Sequence, residues 1–531
     1  MVSTFILLTG MAALGWVRVH TITAYFQQEE YDYKRFLQAW PSLSLIDFKF
    51  TIATILLGML GVLATAAPLI PAGIGGAALA IALLEWRALA AMKKPFVRTR
   101  RARRLMFLTA GIWAVIATAL VFSLSVLGAI VAMQSFPLVM VLANAILAPV
   151  QQSENQRYIH LAKAKIARFN GETIAITGSF GKTTVKHILG DSLGQLSSVY
   201  FSAGSVNTVL GHTRHIRQRL QPSHRYFIAE MGAYGEGSIQ RLCELADPDH
   251  AIITSIGLAH NERFKGLDVV ARAKSELAQW VANKGAGGKI VMTQDVASYA
   301  PFANIIASNQ ADCVVVGVDP AQPHDYLMTQ VQAGGLGTSL ALLKKGQLEG
   351  VNLRLPLLGG HNGDNLALVA ALLLELGWPA MAIQSALAGV RHVPHRLAPR
   401  PGPNGSTILD DAYNANPVGM RSAFALARQL ADNADGKAYA ITPGLVELGD
   451  RHEAEHLALG RQAGESLDKC YVVTSERVPT LLEGIRAAGG DVETADSYLE
   501  ARARLDPQLN QGDVLLVAND LPDLLGSRVW L

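Results

Sequence analysis

A short glycine-containing segment that begins at Gly178 has the composition of a loop that binds phosphate. It reads GSFGKTT, follows the β-branched run TIAIT at 173–177, and precedes a helical pattern, VKHILGDSLGQL. Glycines let backbone N–H groups approach phosphate oxygens, and the positive end of a helix dipole adds to the attraction. The segment predicts a triphosphate site in which Lys182 neutralises phosphate oxygens and a threonine hydroxyl, preferably that of Thr183, binds Mg²⁺. An ordinary turn before a helix is the alternative, because Ile176 stands where the longer P-loop pattern has its first glycine.

Three further residues that can bind metal or move protons follow strand-like or helical patterns downstream. Glu230 ends the run YFIAE, His260 follows the run DHAIITSI, and Lys274 lies in the helical pattern ARAKSEL. An acidic residue at the carboxyl end of a buried strand can hold Mg²⁺ beside a phosphate loop. Each residue also has a structural interpretation, as a helix cap, a core histidine or a solvated helical lysine. Taken singly, none of the three decides the function.

Several longer motifs resemble, in order and spacing, those of the Mur ligases, and of their MurF branch most closely. They are GSFGKTT, EMGAYGEGSIQRL, DPDHAIITSIGLAHNERF, ARAKSEL, LPLLGGHNGDN, VPHRLAPR, DDAYNANPVGM and ITPGLVELGDRH, which together span about residues 171–460. The resemblance implies an ATP-dependent ligase that joins an amine to a carboxylate. It also implies ATP and Mg²⁺ as cofactors, and carboxylate-bearing and amine-bearing small molecules as substrates.

The resemblance also assigns roles to individual residues of this sequence. It implies that Glu230 and His260 help to bind Mg²⁺. It further implies that Lys274 carries a carbamate, whose oxygens suit a second Mg²⁺. It places Arg396 near the γ-phosphate and Asp411 near the ribose and phosphates. The implied catalytic residues are Lys182, His260, Lys274 and Arg396. The implied nucleotide-binding residues are Gly178, Ser179, Gly181, Lys182, Thr183, Thr184, Asn362, Asn365, Arg396 and Asp411, of which the two asparagines lie near adenine. The implied metal-binding residues are Thr183, Glu230, His260 and Lys274.

The implied reaction has two steps. A carboxylate attacks the γ-phosphate of ATP to give an acyl phosphate and ADP, and an amine then displaces phosphate. Lys182, Arg396 and Mg²⁺ would stabilise the charge that builds on the transferred phosphoryl oxygens. The sequence departs from the family pattern at Ser255, where an asparagine is usual, at Pro443-Gly444, and near the C terminus, where VAND replaces VKGS. The last change bears on how the incoming amine is recognised.

No soluble counterpart of the UDP-sugar-binding domain of MurF is recognisable, because apolar stretches occupy its position. Three functions therefore compete. The first is a D-alanyl-D-alanine-adding ligase located at the membrane. The second is a ligase for another acid and amine, such as a poly-amino-acid or lipid-linked substrate. The third is a catalytically silent, nucleotide-sensing membrane scaffold, against which the intact set of predicted catalytic residues argues.

The elements that must position these residues divide the 531-residue chain into three parts. Four or five transmembrane helices are expected within 1–150. A P-loop α/β domain with a mostly parallel sheet is expected over 151–396, because strands alternate with helical patterns there. A Rossmann-like α/β domain is expected over 397–531. A polar helix should cover 151–170, and a small β-extension should lie between Val314 and Leu358.

Three apolar stretches, Val2–Val17, Phe50–Trp86 and Leu105–Val150, predict the membrane region, at about 20 residues for each span. The first is expected to be a retained anchor rather than a signal peptide, because no lysine or arginine precedes it. A soluble helical bundle is the alternative for the whole region. The basic loop between the second and third stretches contains Arg87, Lys93, Lys94, Arg98, Arg100, Arg101, Arg103 and Arg104. Such loops stay in the cytoplasm. The loop therefore predicts a multi-pass plasma-membrane protein with cytoplasmic catalytic domains. A second interpretation is that the loop contacts anionic lipid of the bilayer.

Net charge and cysteine content exclude some other classes of protein. A net charge of +3 gives no case for nucleic acid as a partner. Cys243, Cys313 and Cys470 lie far apart without CxxC spacing, so neither a disulfide nor a zinc site is expected.

Overall fold

The computed structural model describes residues 2–29, 31–38, 47–63, 69–90, 96–257, 266–285, 287–308, 312–412, 416–446 and 448–519. The chain divides into two compact units, of which the first ends at Asn155 and the second begins at Gln156. The division falls inside one long helix, Phe136–Ile166.

The first unit consists of helices. Its elements are α1 (Val2–Gln28), α2 (Tyr33–Gln38), α3 (Lys49–Leu63), α4 (Ile70–Ala90), α5 (Arg100–Gln134) and the first part of α6 (Phe136–Ile166). Within the described residues, the stretches long and apolar enough to cross a membrane are Val2–Gln28, Ile70–Arg87, Arg100–Leu124 and Phe136–Ile166. The second apolar stretch, Phe50–Trp86, contains most of α3 and α4. Helix α3 has only 15 residues, fewer than the roughly 20 that a full span needs.

Helices α1 and α4 pack closely and run in the same direction. A Cβ added to Gly10 would meet the backbone of Gly75, so only glycine permits this contact. The pairs Gly10–Gly75 and Arg18–Glu85 have nearly the same sequence offset, which is the pattern of parallel neighbours. Small residues allow the same close approach between helices in membranes.

A buried ion cluster lies inside this helical unit. Arg18 Nη2 donates to Asp47 Oδ1 and to Glu85 Oε1, both at 3.0 Å, and all three side chains are at most 5% exposed. The sequence predicted that the first apolar segment ends before Arg18, but α1 continues to Gln28. The helix can continue because the two carboxylates compensate the buried guanidinium. These partners are distant in sequence, so hydropathy along the chain does not reveal them.

Helix α5 reverses its direction. Trp113 Nε1 donates to Ala132 O at 2.8 Å, although the 19 residues between them would extend about 28 Å in a straight helix. Gly128 lies against the backbone of Leu120, which places the reversal between these two residues. The polar helix predicted over 151–170 is not a separate element, because α6 runs through Pro149 to Ile166 without a break.

The second unit begins with a nine-stranded sheet. Its strands are β1 (Glu172–Thr177), β2 (Val199–Phe201), β3 (Tyr226–Glu230), β4 (His250–Ile253), β5 (Lys289–Thr293), β6 (Asp312–Gly317), β7 (Tyr326–Gly334), β8 (Gly337–Lys344) and β9 (Val351–Leu355). The spatial order is β2-β3-β1-β4-β5-β6-β7-β8-β9. Pairing is parallel from β2 to β7, and β8 and β9 are antiparallel. The expected β-extension is therefore a continuation of the main sheet.

Helices cover both faces of this sheet. They are α7 (Lys182–Leu196), α8 (Val209–Gln218), α9 (Ser238–Ala246), α10 (Leu267–Asn283), α11 (Gln294–Ser298), α12 (Ala300–Ser308), α13 (Asn362–Glu375) and α14 (Ala380–Ala388). Successive residues of β1 alternate between two cores: Ala175 packs on one face and Ile174 and Ile176 on the other. Burial on both faces explains why the parallel strands are nearly continuous apolar runs.

The register of the central strands brings their carboxyl ends together. Ile176 of β1 pairs with Glu230 of β3, and Thr177 pairs with Ile253 of β4. The glycine loop after β1, the carboxylate at the end of β3 and the segment after β4 therefore meet at one edge of the sheet. In open parallel sheets this is the edge at which ligands bind.

The remainder of the second unit forms a six-stranded sheet in the order β10-β11-β15-β12-β13-β14. Its strands are β10 (Ala398–Pro401), β11 (Thr407–Asp411), β12 (Ala438–Thr442), β13 (Lys469–Val473), β14 (Val492–Ala495) and β15 (Val514–Ala518), with helices α15 (Pro417–Asp432), α16 (His452–Ser466), α17 (Pro479–Ala487) and α18 (Tyr498–Leu505). Only the β10–β11 pairing is antiparallel. The segments ITPGLVELG, KCYVVTSE and GDVLLVAND contain residues of β12, β13 and β15, respectively.

Candidate active site

The loop between β1 and α7 requires glycine at two positions. Gly178 and Gly181 have φ values of +153° and +82°, a region that residues with a Cβ rarely adopt. A Cβ on Gly181 would also lie 2.6 Å from Asn365 Oδ1. The loop therefore turns tightly enough to direct its backbone toward a ligand, and Asn365 of α13 lies directly against it.

Side chains anchor this loop to the end of β4. Ser179 Oγ donates to Gly257 O at 2.7 Å and accepts from Gly257 N at 2.8 Å. Phe180 N donates to Ser255 Oγ at 2.9 Å. Ser255, one of the departures from the family pattern, thus has a definite role in fixing the loop.

Lys182 is folded over the loop that precedes it. Its Nζ donates to Gly178 O at 2.6 Å and to Ser179 O at 3.0 Å. Burial lowers the pKa of Lys182 to about 8; nearby Arg396 also lowers it, and Glu230 opposes the change. The ammonium group therefore lies at the mouth of the loop without a direct carboxylate partner in the described part of the chain, where it can turn toward phosphate oxygens.

Thr183 and Glu230 provide a pair of oxygens suited to a small divalent cation. Thr183 Oγ1 lies 3.1 Å from Glu230 Oε1, and Asn207 Nδ2 lies 3.4 Å from the same oxygen. This 3.1 Å contact is a hydrogen bond from the hydroxyl to the carboxylate. Hydroxyl and carboxylate oxygens are the kind of ligand that Mg²⁺ prefers, so these residues fit Mg²⁺. Thr184, by contrast, is buried in α7.

Two partners of Glu230 were not predicted from the sequence. Lys186, which is completely buried, donates from Nζ to Glu230 Oε2 at 3.1 Å. His212 Nε2 lies 2.7 Å from Glu230 O, and burial lowers the pKa of His212 to about 4, so the neutral ring donates this bond. The position of Lys186, one helical turn after Lys182, was the available signal. Asn207 was missed as well, although it is a polar residue between a strand and a helix.

Lys274 is buried in α10 and is not a solvated surface lysine. Its side chain is 4% exposed. Burial lowers the pKa of Lys274 well below its usual value, and the nearby Lys182 lowers it further. The structure therefore places Lys274 close to the phosphate loop and favours its neutral amine.

One of the predicted site residues, His260, lies outside the described residues. Within the described chain, no group of three or more histidines, cysteines, aspartates or glutamates could hold a metal ion. The ligand role of His260 therefore stays a prediction.

Arg396 and Asp411 extend the site toward the second sheet. Burial raises the pKa of Asp411 to about 7, against the opposing effects of Arg396 and of a hydrogen bond from Leu397 N, which lies 3.2 Å from Asp411 Oδ1. The charge of Arg396 lowers the pKa of both Lys182 and Asp411. Arg396 therefore lies between the loop and the second sheet.

The predicted asparagines have mainly internal partners. Asn362 Nδ2 donates to Leu358 O at 2.7 Å, and Asn365 Nδ2 donates to Asn362 Oδ1 at 3.0 Å. Both side chains are buried, and Asn365 lies beside the glycine loop. Asn416, in the motif DDAYNANP, accepts at Oδ1 from Gly419 N at 2.9 Å and caps α15.

Comparison with known families gives two matches in the second unit. The family described as Mur ligase middle domain matches residues 176–373. The family described as Mur ligase, glutamate ligase domain, matches residues 395–519. The apolar helices before residue 156 lie outside both matches.

Individual relatives point in the same direction. The UDP-N-acetylmuramoyl-tripeptide–D-alanyl-D-alanine ligase of Mycobacterium bovis is 31% identical over 363 residues, which are 65% of this chain and 69% of the relative. The Escherichia coli protein of the same name is 31% identical over 291 residues, which are 55% of this chain and 61% of the relative.

Among solved structures, MurF from Acinetobacter baumannii has a TM-score of 0.59 at 26% identity. The match covers 70% of this chain and 81% of the Acinetobacter baumannii chain. MurF from Thermotoga maritima in complex with ADP has a TM-score of 0.58 at 26% identity and covers 71% of this chain and 82% of its own. The second of these structures contains the nucleotide that an ATP-dependent ligase would release.

Proposed function

The chain belongs to the Mur ligase family of ATP-dependent ligases, and from this premise we propose that it is a membrane-anchored, MurF-like enzyme that joins an amine to a carboxylate. One observation carries the proposal. Lys182, Thr183 and Glu230 meet at one edge of the first sheet, and Arg396 and Asp411 approach them from the side of the second sheet.

These residues support a two-step reaction. The substrate carboxylate attacks the γ-phosphoryl group of ATP, which forms an acyl phosphate and releases ADP. The amine then attacks the acyl carbon and phosphate leaves. Lys182 and Arg396 stabilise the charge on the transferred phosphoryl oxygens, because partial burial strengthens their electrostatic effect.

Thr183 and Glu230 would hold Mg²⁺, and we propose His260 as a further ligand. The ion would neutralise charge on the triphosphate. Asn207 supports the arrangement by directing an N–H toward Glu230 Oε1, which orients that carboxylate. The pairing of a hydroxyl oxygen with a carboxylate oxygen beside the phosphate loop is the feature that supports Mg²⁺ here.

Lys274 is proposed to carry a carbamate. The neutral amine attacks CO₂, a new N–C bond forms, and one proton is released to solvent. Only the neutral amine is a nucleophile, so the lowered pKa of Lys274 favours this modification. The carbamate would present oxygens to a second Mg²⁺ beside Lys182.

Anchoring in the membrane is supported by the apolar helices of the first unit. The loop before α5 and its first turn contain Arg98, Arg100, Arg101, Arg103 and Arg104. Such a cluster favours a cytoplasmic location for this end of α5. We propose that the catalytic unit lies on the same side, where ATP is available.

The substrates named for the relatives are the first candidates. These are a UDP-N-acetylmuramoyl-tripeptide as the acid and D-alanyl-D-alanine as the amine. A lipid-linked or other acid is the second candidate, because apolar helices precede the family matches. The C-terminal VAND segment also favours a changed amine site. There Asn519 takes a left-handed conformation and donates to Gly444 O at 2.7 Å.

The test uses the full-length chain in lipid nanodiscs with ATP, Mg²⁺, the UDP-muramoyl-tripeptide and D-alanyl-D-alanine. We expect ADP release that depends on both substrates and a ligated product by mass spectrometry. Lys182→Ala should abolish turnover, whereas the exposed control Lys345→Ala should not. ADP release only with lipid extracts would favour the second candidate. Unchanged turnover in Lys182→Ala would refute the assignment of the phosphate loop.

A further inference from the structure

We propose that Lys186 is a positioning residue that makes Glu230 a one-oxygen metal ligand and thereby favours Mg²⁺ over Ca²⁺. The inference rests on the proposed function, because it concerns the metal site of that function. Four arguments support it. All three hydrogen-bond donors of Lys186 are used, and the two oxygens of Glu230 have different partners. Mg²⁺ and Ca²⁺ differ in coordination geometry, and burying an ion pair costs free energy.

Lys186 has no free donor with which to bind a ligand. Its ammonium contacts Glu230 Oε2 at 3.1 Å, Gly204 O at 2.5 Å and Ser202 Oγ at 3.2 Å. A lysine has three donors, and these contacts account for all of them. Lys182, one turn earlier, donates only to its own loop and can turn to phosphate. Lys186 therefore acts through Glu230 rather than on the nucleotide.

The two carboxylate oxygens of Glu230 have different hydrogen-bond partners. Oε2 faces the Lys186 ammonium, whereas Oε1 faces Thr183 Oγ1 and Asn207 Nδ2. A cation bound between Thr183 and Glu230 therefore approaches Oε1 alone. Two-oxygen coordination would bring the cation toward the buried Lys186 ammonium, which lies 3.1 Å from Oε2 and repels a second positive charge.

Coordination by one oxygen discriminates between the two cations. Mg²⁺ takes six ligands at about 2.0–2.1 Å, and Ca²⁺ takes six to eight at about 2.3–2.6 Å, often with both oxygens of a carboxylate. By holding Oε2, Lys186 removes the ligand atom that Ca²⁺ would gain.

A contribution to folding stability does not by itself explain why a lysine is buried at position 186. A buried ion pair contributes little net stability compared with well-packed apolar side chains of similar size. The partner of Lys186 is, however, the one carboxylate at the carboxyl end of β3 that faces the phosphate loop. A role in setting the geometry of that carboxylate explains why a charge is placed there.

The experiment measures metal binding directly. Mn²⁺ bound to the full-length chain in nanodiscs of zwitterionic lipid is followed by electron paramagnetic resonance, and Mg²⁺ or Ca²⁺ is added as competitor. Wild-type protein should need more Ca²⁺ than Mg²⁺ for half displacement. In Lys186→Met this ratio should fall about tenfold, the size typical of lost outer-shell partners. The control Lys289→Met, which removes the part-buried partner of Asp312, should leave the ratio unchanged.

The outcomes separate the inference from the proposed function. If wild-type protein binds no stoichiometric Mn²⁺, the proposed metal site itself is refuted. If Mn²⁺ binds but folded Lys186→Met keeps the wild-type ratio within twofold, only the role of Lys186 is refuted. A merely structural lysine would lower stability without changing the ratio.

A second measurement needs no folded variant at Lys186. Infrared difference spectra of wild-type protein, with and without Mg²⁺, report how carboxylates bind the ion. One-oxygen coordination widens the separation between the two carboxylate stretching bands, and two-oxygen coordination narrows it. We expect a widened separation that is absent in Glu230→Gln. A narrowed separation in wild-type protein would overturn the inference.

Discussion

Replacing Asp411 with asparagine should stabilise the protein, although it removes a residue proposed to face the nucleotide. Burial raises the pKa of Asp411 from 3.8 to about 7. The folded state therefore binds the proton more tightly than the unfolded state, and stability falls as pH rises from about 4 to about 7. Asparagine has no charge at any pH and keeps the oxygen that accepts from Leu397 N.

The magnitude follows from the two pKa values. At 1.4 kcal/mol for each pH unit, the raised pKa of Asp411 lowers the free energy of unfolding by about 4 kcal/mol at pH 8 and about 1.5 kcal/mol at pH 5. Asp411→Asn should therefore be more stable than wild type by about these amounts, and the gain should disappear below about pH 4.

Pulse proteolysis of the full-length chain across a urea series, at pH 5 and pH 8, measures the free energy of unfolding of the catalytic unit. Asp410→Asn is the matched control. Asp410 accepts from His395 Nδ1 at 3.0 Å and pairs with Arg400, so its replacement should lower stability at pH 8. If Asp411→Asn lies within about 1 kcal/mol of wild type at both pH values, Asp411 is solvated and the buried site between the two sheets is wrong.

Four further predictions concern the loop, the buried amine and the helical unit. Lys182 must be protonated to bind phosphate, so the KM for ATP should rise by up to about tenfold per pH unit above about pH 8. Steady-state kinetics over that pH range would measure the rise. Gly181→Ala should weaken ATP binding in calorimetry by about 1–3 kcal/mol, because its φ of +82° and the nearby Asn365 both oppose a Cβ; unchanged affinity would contradict the loop geometry. Lys274→Met should abolish incorporation of labelled CO₂, which chemical trapping and mass spectrometry detect in wild-type protein. Arg18→Leu should destabilise the helical unit by about 3–5 kcal/mol, because two buried carboxylates lose their cation; thermal unfolding in detergent would show no change if the cluster were solvated.

Local patterns in the sequence were sufficient to predict the elements around the phosphate loop. The strand, the loop and the helix from 172 to 196 follow from a β-branched run, two glycines and a helical pattern. The positions of Glu230 at a strand end and Lys274 on a helix were also predicted from local sequence. Each of these features depends on residues within about one element of each other.

Features that depend on distant contacts could not be predicted in this way. The pairing of Lys186 with Glu230 requires α7 and β3 to be placed side by side, and the burial of Lys274 requires α10 to pack against the first sheet. The continuation of α1 past Arg18 depends on Asp47 and Glu85, which are distant in sequence, and the reversal of α5 places Trp113 beside Ala132. Hydropathy and spacing describe neighbours along the chain, so such long-range compensation lies beyond them.

The most direct test of the site is a structure of the full-length chain in nanodiscs, determined by electron cryomicroscopy with Mg²⁺ and a non-hydrolysable ATP analogue. We expect the phosphates against the loop that begins at Gly178, with Lys182 turned toward them. Mg²⁺ should lie about 2.1 Å from Thr183 Oγ1 and Glu230 Oε1. A nucleotide bound elsewhere, or a cation that does not contact Glu230, would contradict the account.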